Sequence, residues 1–169
     1  IRVPFRVVDG RVYLDAHVND QGPFTFAVDT GASGIGRADL SLVKALSLPL
    51  AENGTASDGV STATVPTTTL AELRLGDHVM RDVEVLARDY SGRMAPENAI
   101  AGILGRDFFA DGTLRIDYPN RILTYSPDQT LDPLEPGALA YERPYRVPVT
   151  IGGMAMVANL DTGANAELV

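Results

Sequence analysis

The chain contains no cysteine. Disulfides, thiolate zinc sites and a cysteine nucleophile are therefore excluded, and either redox compartment stays open. No apolar run approaches the roughly 20 residues of a membrane-spanning helix. Positive charge is also short: 14 Lys and Arg against 22 Asp and Glu leave a formal net charge of −8. Nucleic acid and anionic membrane surfaces require a basic face, so neither is expected as a partner. His17 and His78 stand apart, without an acidic cluster beside either, which argues for structural roles and against a metal site. The stretch GASGIG at 31–36 has neither the G-x-G-x-x-G spacing nor a following Lys-Ser/Thr, so no phosphate loop is expected. Ser33, Ser57 and Ser61 have no His–Asp pair near them in sequence. No signal peptide precedes Ile1; a removed leader and a trimmed start are both open.

What remains is a chain of 169 residues, 45% apolar, long enough for one domain with residues to spare. Its pattern is mostly strand-like. β-Formers at 3–8 and 11–18 flank Asp9-Gly10, a hairpin signal. NDQGP at 19–23 reads as a turn, and FTFAVD at 24–29 as a strand with Phe24, Phe26 and Val28 on one face. Ala38, Leu42, Ala45 and Leu46 are spaced for a helix over 37–46, with Pro49 beyond it. AENGTASDGVSTA at 51–63 reads as an exposed loop or hairpin tip. Strands are expected at 64–75 and 79–87 around Gly76-Asp77, and a further hairpin in TLRIDYPNRILTYS. Phe108 and Phe109 read as core, and Asp117 as a turn-capping acid.

Composition shifts at 127–144, a proline-rich connector. Beyond it, residues 145–165 repeat the layout of 13–33: strand, glycine-containing turn, strand, then Asp-Thr-Gly-Ala. The two copies are DTGA at 29–32 and 161–164. An Asp at the end of an apolar strand is costly to bury unless it is hydrogen-bonded. Gly31 and Gly163 permit the sharp turn that aims backbone N–H groups at the carboxylate, and Thr30 and Thr162 add a bracing hydroxyl. The domain reading is therefore 1–126 as one unit, 127–144 as connector, and 145–169 as the start of a second, truncated repeat.

DTGA, followed about 70 residues later by ILGRDFF at 103–109, is a more specific signal than either motif alone. With these residues, roughly 3–126 resembles the retropepsin-like aspartic proteases, the β-barrel family of retroviral proteases and bacterial relatives. Two-lobed pepsins are their duplicated form. The resemblance implies a mainly β fold, a closed retropepsin-like barrel with one or two short helices. It implies an aspartic endopeptidase in which two carboxyls share a proton and activate a water, with no metal or organic cofactor. Asp29 and Asp161 would be catalytic, and Thr30, Gly31, Ala32, Thr162 and Gly163 would support their loops. Ile103, Leu104, Gly105 and Arg106 would form the hydrophobic-Gly element behind the site, and Gly54, Thr55, Ala56, Ser57, Asp58 and Gly59 a flap.

One lobe supplies one aspartate, so a partner is required. A longer, two-lobed parent chain is favoured, with Asp161 as counterpart; a homodimer pairing Asp29 with its symmetry mate ranks second. Within this chain Asp161 has three arrangements open: folded onto Asp29, paired across a dimer, or in a partly ordered tail. The substrate would be an extended peptide or protein segment. A module that keeps the fold for dimerisation or peptide binding without cutting is the alternative. The resemblance to bacterial members, with a leader removed, favours a periplasmic or secreted location.

Some positions depart from the resemblance. SGIG at 33–36 lacks the acid that many retroviral members pair with the Gly-Arg arginine, leaving Asp39 or backbone carbonyls as substitutes for Arg106. Ala32 and Ala164 stand where pepsins place a carboxylate-bonding Ser or Thr, so the pair should be less acidic than pepsin's. The flap segment contains no aromatic residue.

Overall fold

The computed structural model describes residues 1–57, 62–141 and 145–164. Thirteen strands are found among them. They are β1 (Arg2–Pro4), β2 (Arg6–Val8), β3 (Arg11–Val18), β4 (Gln21–Asp29), β5 (Gly36–Asp39), β6 (Ala51–Ser57) and β7 (Thr62–Leu75). β8 (His78–Arg88), β9 (Gly102–Gly105), β10 (Thr113–Asp117), β11 (Ile122–Ser126), β12 (Arg146–Ile151) and β13 (Met154–Asn159) complete the set. One short helix, α1 (Leu40–Ala45), and two single 3₁₀ turns, Pro96–Asn98 and Arg106–Phe109, are the helical elements among the described residues. The molecule is mainly β, as its strand-like sequence implies.

The main sheet runs β2-β3-β4-β9-β5-β8-β7-β6, and a further pairing of β3 with β7 bends it back on itself. His17 lies opposite Arg74 and Val18 opposite Leu73 at that junction. Six strands thus form a hydrogen-bonded ring, which removes the open edges of a flat sheet. Alternation along β3 sends Val12, Leu14, Ala16 and Val18 inward, and Phe26 and Val28 of β4 meet them. Leu70, Leu73, Val83, Val85 and Leu104 fill the interior from the other strands. Below the ring, β1, β11 and β10 form a small sheet; its Leu123 and Tyr125 pack on Phe108 and Phe109 in the same core. His78 stands edge-on to both Phe108 and Tyr125.

Three local expectations are corrected. The helix over 37–46 is confined to 40–45, because Gly36–Asp39 is a strand between β9 and β8. Ala38 is drawn into the barrel wall, and the Asp39 carboxylate accepts from the Ser41 amide, which starts the helix only there. The turn expected at 19–23 is shorter: Asn19 and Asp20 take positive φ values of 51° and 59°, and β4 already begins at Gln21. Of the exposed loop or hairpin tip expected over 51–63, the described residues form the two paired arms of a hairpin, β6 and the start of β7, so strand begins earlier than expected. Gly54 is buried there against Thr67 and Leu86. The proposed flap positions Asp58 and Gly59 lie outside the described residues.

Residues 127–141 form no strand or helix and are exposed almost throughout. Among the described residues β12 and β13 pair only with each other, and the second DTGA follows them directly. No helix among the described residues is long and apolar enough to cross a membrane.

Candidate active site

β4 ends at Asp29, and its neighbours fix where that end points. It is paired on one side with β3 and on the other with β9, Asp29 lying opposite Gly105. The chain then turns so that the Ala32 amide donates to Asp29 Oδ1 at 2.9 Å. Leu104 is fully buried beneath this turn. Gly105 must remain bare, since a Cβ there would meet the Gly34 carbonyl. The Arg106 guanidinium donates to the Gly31 carbonyl at 3.1 Å, and Asp107 accepts from the Gly34 amide at 2.9 Å. A backbone carbonyl is thus the arginine's substitute partner. Asp39 is not, for its carboxylate is occupied by the amides of Ser41, Tyr90 and Ser91.

The second DTGA folds onto the first within the same chain. The Thr30 amide donates to Thr162 Oγ1 and the Thr162 amide to Thr30 Oγ1, both at 3.1 Å. Each hydroxyl then donates to the carbonyl just ahead of the opposite aspartate. Thr30 reaches Leu160 O at 2.7 Å, and Thr162 reaches Val28 O at 2.8 Å. This exchange is symmetric, bond for bond, and a local twofold relates the two loops. Of the three arrangements open for Asp161, the first is found.

The close approach explains both glycines. A Cβ on Gly31 would stand 2.5 Å from the Asp161 carboxylate, and one on Gly163 would run into the Asp29 carboxylate. Each aspartate therefore sits over the glycine of the other loop. Asp161 Oδ1 accepts from the amides of Gly163 and Ala164 at 2.8 and 3.2 Å, matching the bond from Ala32 to Asp29. Burial, and next the facing Asp161, push the Asp29 carboxyl above its ordinary value, against the pull of the Ala32 and Gly31 amides.

Sequence reasoning missed two residues that hold this arrangement. Arg11 Nε donates to the Gly163 carbonyl at 2.7 Å, tying the second loop to β3. The Tyr145 carbonyl accepts from the Leu160 amide at 3.1 Å. Neither has a motif; Arg11 follows the Asp9-Gly10 turn and reads as an ordinary surface arginine. A cavity of about 570 Å³ is lined by Thr30, Thr162, Phe109, Leu114 and Tyr145 but by neither aspartate. It lies behind the threonine interlock, away from the facing carboxyls. Among the described residues no three His, Asp or Glu side chains converge as a metal site would require.

A family model described as aspartyl protease matches residues 14–108. The chain belongs to the aspartyl protease family. The matched span runs from β3 through the Gly-Arg-Asp turn and includes the first DTGA. The fold is similar to that of a retropepsin-like aspartic protease from Rickettsia conorii, with a TM-score of 0.54 and 22% sequence identity. That likeness covers 74% of this chain and 89% of the other. No curated protein matches the sequence.

Proposed function

We propose that this aspartyl protease family member hydrolyses peptide bonds with a water held between Asp29 and Asp161. The observation that carries the reading is the reciprocal seating of the two carboxyls over Gly163 and Gly31. Two carboxyls so close cannot both ionise cheaply and share one proton. The two loops are equivalent in their bonding, so neither acid has a fixed role. The ionised member takes a proton from the water, whose oxygen attacks the peptide carbonyl carbon, while the protonated member donates to the carbonyl oxygen. A proton then passes to the leaving nitrogen as the C–N bond breaks, and the acid pair returns to its single-proton state. No cofactor enters the balance.

An extended peptide would lie beneath the β6–β7 hairpin and bond to the site through its backbone, as an added strand does. Residues 145–169 are read as the opening of a second lobe that supplies Asp161, joined through 127–144 to the first. This favours an intramolecular pair over a homodimer that doubles Asp29.

The test is cleavage of a denatured protein and of a quenched-fluorescence peptide library across acid to neutral pH, with and without a statine-type transition-state mimic. Cleavage that the mimic blocks, and that Asp29→Asn and Asp161→Asn each abolish, is the expected result. Full activity in Asp29→Asn would overturn the mechanism. Activity retained in Asp161→Asn by a dimeric protein would favour the homodimer. Tight binding of the mimic without any cleavage would favour a peptide-binding module.

A further inference from the structure

The connector between the barrel and the second DTGA is held far more loosely than the loop 89–98. Each residue from 127 to 141 is exposed. Its apolar side chains Leu131, Leu134, Leu139 and Tyr141 stand 69%, 87%, 63% and 56% exposed. The Gln129 carbonyl accepts from Thr113 Oγ1 at 2.7 Å, which ties the start of the connector to β10. Past Gln129, the bonds found among the described residues stay within the segment. The Leu134 amide donates to the Asp132 carboxylate at 2.9 Å, the Glu135 amide to the Asp132 carbonyl at 3.2 Å, and the Ala138 amide to the Glu135 carbonyl at 2.9 Å. The loop 89–98, by contrast, is anchored from outside itself: the Tyr90 and Ser91 amides donate to Asp39 Oδ2, and Ser91 Oγ donates to the Ile100 carbonyl.

An endopeptidase takes its substrate as an extended strand, so it needs exposed backbone that leaves the fold at little cost. Pro133 and Pro136 have no amide donor and a fixed φ, which makes the bonds around them poor substrates. The stretch 137–141, Gly-Ala-Leu-Ala-Tyr, is free of proline and carries two apolar anchors one residue apart. Gly137 opens it, with nothing packed within 4 Å of where a Cβ would stand. Downstream, few contacts would survive a cut. The second DTGA is held by the threonine exchange and by Arg11. Of the residues in β12 and β13, Val147 alone is buried. An intact connector keeps the two loops at an effective concentration on the order of millimolar. A cut removes that advantage and leaves only these ties.

We propose that residues 137–141 are a processing site for an endopeptidase of apolar specificity, and that a cut there separates Asp161 from Asp29. The inference rests on reading the two acids as one working pair and adds a means of switching that pair off. The step is a hydrolysis. Water adds across the peptide bond after Leu139, the C–N bond breaks, Leu139 keeps the new carboxyl group and Ala140 the new amine. The barrel keeps its core, because no residue of that core lies beyond Tyr125. The loss is therefore of the second acid and not of the fold.

The test treats the full chain briefly with chymotrypsin, which cuts after large apolar residues, and stops it with a serine-protease inhibitor. Mass spectrometry should find the first cut after Leu139 or Tyr141. A double variant, Leu139→Asn with Tyr141→Asn, should be cut at least about tenfold more slowly, with an unchanged thermal melt. Gel filtration of the cut protein at nanomolar concentration should separate the C-terminal fragment from the barrel, and peptidase activity should fall by about tenfold or more on that dilution. A first cut elsewhere overturns the site. A cut protein that stays whole on dilution overturns the separation of the acids. Uncut protein without peptidase activity counts against the peptidase reading alone, since the cut position and the gel filtration still decide this proposal.

Discussion

The two DTGA loops have the same four residues and nearly the same internal hydrogen bonds, but they are supported very differently. The first ends a strand that is paired on both sides and carries Phe26 and Val28 into the core at 1% and 0% exposure. Burying each such side chain contributes about 1.5–3 kcal/mol, so the barrel alone fixes Asp29. The second follows β13, which among the described residues pairs only with β12 and keeps its Met154, Met156 and Val157 66%, 48% and 58% exposed. Little apolar burial holds that hairpin. Asp161 is positioned instead by polar ties: the threonine interlock, Arg11 and the Tyr145 carbonyl. An identical motif can thus be fixed by a core or by borrowed hydrogen bonds, and the second is the weaker support.

The largest expected effect tests the equality of the two acids. Asp29→Asn and Asp161→Asn should each lower kcat by about 10²–10⁴-fold, the range for a lost general acid–base group. A much smaller loss in one would break the symmetry of the pair.

The threonines sharpen the contrast in support. Each Thr→Val change leaves a backbone amide without its hydroxyl acceptor, worth about 1–3 kcal/mol locally. Thr162→Val should release the second loop, cutting activity while the barrel's Tm stays near wild type. Thr30 is 7% exposed within the first loop, so Thr30→Val should lower both. Equal melting temperatures in the two variants would contradict unequal support.

The arginines extend the same test. Arg11→Met removes one of the few ties on the second loop and should depress activity more than stability. Arg106→Met removes one of several ties on the first, where Asp107 and the Gly105 contacts persist, and should change activity less. Parallel kinetics and thermal melts of the two would decide.

The smallest effects concern pH. Burial disfavours the charged form of Asp39, but bonds from the Ser41 hydroxyl and the Ser41, Tyr90 and Ser91 amides outweigh it and hold its carboxyl below the ordinary value. Its stabilisation is present above the ordinary carboxylate range and lost as pH falls through the lowered folded value. Asp29 has the opposite sign. Its raised folded value means that ionisation destabilises the fold as pH rises. Asp29→Asn should therefore raise Tm at neutral pH, with the gain fading in acid, while Asp39→Asn should lower Tm at neutral pH and matter less in acid. Denaturation curves from pH 3 to 7 would check both.

Strand content, the Asp9-Gly10 and Gly76-Asp77 hairpins, the doubled DTGA and the ILGRD element were legible because each depends on local pattern or fixed spacing. The 37–46 segment misled because helical spacing and a strand's inward Ala38 look alike over ten residues, and only pairing with β8 and β9 distinguishes them. Arg11 and the Asp39–Ser91 tie were not legible, since their partners lie far along the chain and no spacing rule links them.

By itself, then, the sequence determined that an acid would end each of two similar strands, with a glycine and a threonine at its side, because backbone turn chemistry is local. Tertiary structure alone decided that the two acids meet, that the ring closes through β3 and β7, and that the second loop leans on the first. Those outcomes depend on pairings more than fifty positions apart for the ring and more than a hundred for the two loops, which no short stretch of chain encodes.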